Sequence, residues 1–74
     1  MKIQIINDHY QIKILINDLP HLMIDKKEFV GYNTWHDSET ECCIEFITKT
    51  NTILCEYDSK EKWLQMLKAL NENI

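Results

Sequence analysis

The chain has 74 residues, a formal net charge of −4, and 45% hydrophobic and 27% charged residues. That length excludes a second core: domains run to about 100–150 residues, and a chain this short buries only about 60% of the surface its unfolded form exposes. The apolar and charged fractions are those of a folded protein rather than a disordered one.

The first half reads as strands. Residues 2–6 place Ile3 and Ile5 on one face, and Asn7-Asp8 is a turn signal. Over residues 9–17, Tyr10, Ile12, Ile14 and Ile16 alternate with Gln11, Lys13 and Asn17, a period of two that only Leu15 interrupts. Asn17-Asp18 marks the next turn. Pro20 cannot donate to a ladder, so it opens the short strand 20–24 or sits on a sheet edge. Residues 29–36 follow, with Phe29, Gly31, Asn33 and Trp35 on one parity and Val30, Tyr32 and Thr34 on the other. Gly31 is the only glycine and marks a bulge or sharp bend. Eleven isoleucines, stiff at χ1, support strands throughout.

After the polar loop Asp37–Thr40, residues 41–49 and 52–57 form a hairpin. With Thr50-Asn51 as its turn, Thr48 faces Ile53 and Phe46 faces Cys55. Cys42, Ile44, Phe46, Ile53, Cys55 and Tyr57 then share the core face. The opposite face carries Cys43, Glu45, Lys49 and Glu56, yet also Ile47 and Leu54, and it sets Glu45 against Glu56. A neighbouring element or a partner is expected to cover part of it.

Residues 60–73 are a helix. Asp58 and Ser59 both suit an N-cap, and Asp58 with Glu61 has the spacing of a capping box. Trp63, Met66, Leu67, Leu70 and Ile74 lie on one stripe, widened by Leu64. The fold class expected is α+β: one domain, residues 1–74, an antiparallel β-meander of five to six strands, as a sheet or a partly open barrel, with one C-terminal amphipathic helix packed on it.

The run from Thr52 to Leu70, a strand, an acidic and serine-containing turn, and a capped helix with Trp63 near its first turn, resembles the end of a pleckstrin-homology-like domain. Leu67 and Leu70 match the following apolar positions. The resemblance covers a quarter to a third of the chain, and the chain is shorter than most such domains. It implies the scaffold and protein binding. It does not imply lipid binding, because the turn Asn7-Asp8-His9 has none of the lysines or arginines that phosphoinositide-binding members carry there.

All eight cations are lysine. The bidentate guanidinium fork used on phosphate and guanine is therefore absent, and the acidic balance argues against nucleic acid as a partner. Three cysteines, Cys42, Cys43 and Cys55, form no legible disulfide framework, which points to a reducing compartment. No signal-peptide pattern and no membrane-length apolar run is present, so the expected location is the cytoplasm, of a bacterium or an infected host cell. The cysteines and His9, His21 and His36 lack zinc-ligand spacing. No glycine-rich phosphate loop occurs, and nothing marks a nucleophile with its base and oxyanion hole. No catalytic residue, metal or cofactor is expected.

The remaining candidates are protein-binding ones. Tyr32, Trp35 and His36 precede the acidic loop residues Asp37, Glu39 and Glu41, an aromatic group with a polar rim. Ile47 and Leu54 form a second apolar patch. The leading expectation is a small non-enzymatic protein-interaction module. The alternative is a phage- or mobile-element-encoded acidic inhibitor that binds a basic surface of a host defence or nucleic-acid-handling protein. A homodimer, through strand edges or the Ile47/Leu54 patch, stays open.

Overall fold

Strands β1 (Ile3–Asn7), β2 (Gln11–Ile16) and β3 (Leu19–Asp25) form one antiparallel sheet in a computed structural model that describes residues 1–74. Strands β4 (Phe29–His36), β5 (Cys42–Thr48) and β6 (Thr52–Tyr57) form a second, and helix α1 (Lys60–Asn73) ends the chain. The class is α+β with six antiparallel strands, as expected, but they make two three-stranded sheets that are not closed on each other rather than one continuous sheet. The break falls between β3 and β4. Glu28 N–H bonds the Asp25 carbonyl at 3.0 Å, and the Asp25 carboxylate accepts from Lys27 N–H at 3.0 Å, so the connection is tight. Its main chain then bonds each sheet separately: Lys26 N–H reaches the Tyr10 carbonyl, and the Glu28 carbonyl accepts from Lys49 N–H. These bonds pull the two strands apart instead of closing a hairpin between them.

Asn17 and Asp18 have φ of 52° and 67°, the left-handed pair of a two-residue β-hairpin turn, and set the register Ile16 to Leu19. Pro20 lies within β3 on the sheet edge, where its missing N–H costs no ladder bond. A bulge beside it makes room for His21. Tyr10, expected on the core face, is instead 82% exposed. The Asp8 carboxylate accepts from both Tyr10 and Gln11 N–H at 2.8 Å, which ends the turn at Tyr10 and starts β2 one residue later.

The second sheet holds two further corrections. Its hairpin turns at Lys49-Thr50, not Thr50-Asn51, because Thr48 N–H bonds the Asn51 carbonyl at 2.9 Å and Asn51 N–H bonds the Thr48 hydroxyl at 3.0 Å. The pairing therefore moves by two residues: Phe46 meets Ile53, and Glu45 meets Leu54 rather than Glu56. A shift of two leaves each residue on its expected face and removes the like-charge pair. The bulge expected at Gly31 is present, between Phe29 and Gly31, and it reverses the parity read for β4. Phe29 and Tyr32 both pack on the core, while Trp35 turns outward.

The core lies between the sheets, under the helix. Ile14 and Ile24 come from the first sheet, and Cys42, Ile44, Phe46 and Tyr57 from the second. Trp63, Met66 and Leu70 come from α1. Their spacing along α1 is that of one helical face. Leu64 (50% exposed) and Ile74 (39%) fall off the buried stripe. Ser59 is the N-cap, its hydroxyl accepting from Lys62 N–H, while Asp58 pairs with the Lys62 ammonium at 3.4 Å instead of capping. At the other end, the Asn7 amide donates to the Asn73 carbonyl at 2.8 Å and ties the helix to β1.

Candidate functional site

The residue pairing of β4, β5 and β6 defines the outward face of the second sheet. One row reads Trp35, Cys43, Glu56; the next Asn33, Glu45, Leu54; the last Gly31, Ile47, Thr52. The inward rows contain Phe46, Ile44 and Cys42, so alternation sends this set to the other side. No element of the fold packs over it: α1 lies on the inner side with Trp63, Met66 and Leu70 buried there. Trp35 is 39% exposed and Leu54 51%, and Ile47 is half-buried.

Of the residues singled out from the sequence, the structure thus unites Trp35, Ile47 and Leu54. It separates Tyr32 and His36 from them. The Tyr32 ring packs against Phe46 on the inner side, and its hydroxyl donates to Asn71 Oδ1 at 2.7 Å. The exposed His36 ring meets Trp63 edge-on at 5.1 Å. Both therefore help seat the helix.

The acidic loop divides in the same way. The Glu39 carbonyl accepts from Lys60 N–H, and its carboxylate lies 3.6 Å from the Lys60 ammonium, so Glu39 belongs to the start of α1. Asp37 and Glu41 close the loop through a main-chain bond of 2.9 Å. With Cys42, Cys43, Glu56 and Tyr57 they line a depression of about 280 Å³ at the Trp35 end of the sheet. Cys43, Glu45 and Glu56 complete the face, and their parity with Ile47 and Leu54 was the signal for them in the sequence.

Charge is segregated onto this half of the molecule. Residues 29–59 contain Lys49 against Asp37, Glu39, Glu41, Glu45, Glu56 and Asp58, a net −5, while the rest of the chain carries +1. Partial burial, then the carboxylates of Glu56 and Asp37, push the Cys43 thiol up from its ordinary value. Burial does the same to Cys55. Both thiols stay protonated at neutral pH and are poor nucleophiles. All three cysteines are free, and no group of three or more His, Cys, Asp or Glu side chains is placed to hold a metal ion. No helix is long and apolar enough to cross a membrane.

Comparison with family models, with curated proteins and with solved structures finds no match for this chain.

Proposed function

We propose that the chain is a small, non-enzymatic protein-interaction module that binds through the outward face of β4–β6. The observation that carries this reading is the grouping of Trp35, Ile47 and Leu54 with Glu45 and Glu56 on one uncovered sheet face whose paired strand residues include no cation, Lys49 lying in the turn. Tryptophan and aliphatic anchors with a charged rim are the composition of interface centres. The partner is a protein whose apolar surface is rimmed by lysine or arginine, because a net −5 on this half repels acidic surfaces and attracts basic ones. The narrower reading, an inhibitor occupying the basic groove of a nucleic-acid-handling protein, draws on the same segregation. Two small antiparallel sheets followed by a helix with Trp63 near its start support a pleckstrin-homology-like scaffold for the module.

The test is capture of partners by the purified chain, run beside Trp35→Ala and Glu45→Lys/Glu56→Lys variants whose folding is verified by circular dichroism. The expected result is a basic protein retained by the wild type, released by salt, and lost from both variants. Equal retention by the variants overturns the reading.

A further inference from the structure

We propose that β6 is a self-pairing edge: two copies of the chain join their β6 strands antiparallel, about a two-fold axis at Leu54, into one six-stranded sheet. β6 has β5 on one side and no strand on the other. No main-chain hydrogen bond of residues 52–57 goes anywhere but to β5. The hairpin closes with Thr48 N–H on the Asn51 carbonyl. Antiparallel alternation then aims the N–H and C=O groups of Ile53, Cys55 and Tyr57 at β5, and those of Thr52, Leu54 and Glu56 at the open side.

The other edges are protected and this one is not. β3 carries Pro20 and a bulge, β4 starts with a bulge, and α1 packs chiefly against β1. β6, Thr-Ile-Leu-Cys-Glu-Tyr, has no proline, glycine, lysine or bulge. An unbulged strand of high β-propensity with free main-chain groups is a template for another strand.

The sequence of β6 selects a second copy as that strand. Centred on Leu54, antiparallel self-pairing sets Leu54 against Leu54 and Thr52 against Glu56. All three outward residues of each strand then form main-chain bonds. Moving the register by two residues in either direction leaves one of the three beyond the other strand's end. Moving it toward Tyr57 also makes the two glutamates diagonal neighbours. On the inner side, Ile53 of one copy meets Cys55 of the other, which continues a core these residues already border. Face-to-face stacking of two copies would instead oppose Glu45 and Glu56 with their own kind on a strongly acidic half. Edge pairing leaves Trp35 and Glu45 in solvent, so Trp35→Ala tests partner binding without touching the self-pairing edge.

The experiment is sedimentation equilibrium of the full chain up to millimolar concentration, with three variants. Wild type is expected to dimerise. Thr52→Pro and Glu56→Pro remove N–H groups on the open side, leave the β5 ladder intact, and are expected to weaken association about tenfold or more. In Leu54→Cys the two thiols face each other across a bonded pair with Cα atoms about 5.5 Å apart, so mild oxidation is expected to yield a covalent dimer beyond the wild-type level. A wild type monomeric throughout overturns the proposal, as does dimerisation unchanged by either proline. If the proline variants unfold, the absence of a Leu54→Cys covalent dimer overturns it instead.

Discussion

The indole N–H of Trp63 donates to the main-chain carbonyl of Cys43 at 3.0 Å. It ties the first turns of α1 to β5, the central strand of the second sheet, and the Thr34 hydroxyl shares the same acceptor at 3.2 Å. Trp63→Phe keeps most of the ring volume and removes one donor from that carbonyl. It is expected to cost about 1–2 kcal/mol, against about 3–5 for Trp63→Ala. Urea unfolding followed by circular dichroism measures both.

Ser59 and Asp58 offer a direct contrast between neighbours that look interchangeable in sequence. The Ser59 hydroxyl satisfies Lys62 N–H, so Ser59→Ala is expected to lose about 1 kcal/mol. Asp58 holds only an exposed ammonium, so Asp58→Ala is expected to change stability by less than about 0.5 kcal/mol. Thermal melts of the two variants should rank them in that order.

The turn at Asn17-Asp18 bears a cost that glycine removes. Both residues sit at positive φ, and Asp18→Gly is expected to stabilise the chain by about 0.5 kcal/mol. The loss of its exposed ion pair with Lys2 is smaller than that gain. A substitution to a β-branched residue, Asp18→Val, should instead lower the melting temperature.

His21 Nε2 lies 3.3 Å from the Tyr57 hydroxyl, and partial burial holds the imidazole below its ordinary value. The unfolded chain therefore takes up a proton before the folded one does. The stability contributed by neutral His21 is complete above about pH 6.5 and is lost as pH falls below it. His21→Gln is expected to flatten that part of the stability profile. Burial also pushes the Tyr57 phenol far up, so its contribution is present at neutral pH and is lost above about pH 10, where the unfolded tyrosine ionises. Tyr57→Phe should remove that alkaline loss. Denaturant midpoints measured from pH 5 to 11 check both arms.

Phe46 is fully buried between Tyr32 of β4 and the rest of the core. Phe46→Ala is expected to cost about 3–5 kcal/mol, enough to unfold a domain of marginal stability. Trp35→Ala, on the outer face, is expected to cost no more than about 1 kcal/mol. Circular dichroism of the two variants should show the first disordered and the second native.

Periodicity and end signals determined much by themselves. The alternation of Ile12, Ile14 and Ile16, the turn at Asn17-Asp18, and the stripe of Trp63, Met66 and Leu70 are local properties, set by side-chain direction and by what a few residues permit. The face of Ile47 and Leu54 was legible for the same reason: a two-residue error in register does not change a strand's parity. Three things were decided only in the folded chain. Gly31 signals the bulge, but only the pairing with β5 shows that it falls before Gly31 and so sends Trp35 outward and Tyr32 inward. The opening between β3 and β4 follows from main-chain bonds made by Lys26 and Glu28 to distant residues, Tyr10 and Lys49. Finally, charges scattered along the sequence converge on one sheet face, because strand pairing brings Glu45 and Glu56 beside Trp35 and Leu54, and the Asp37–Glu41 loop closes over the same end. Pairing and tertiary bonding act between residues far apart in the chain, which is why local sequence sets the elements and only the assembled sheets set the surface.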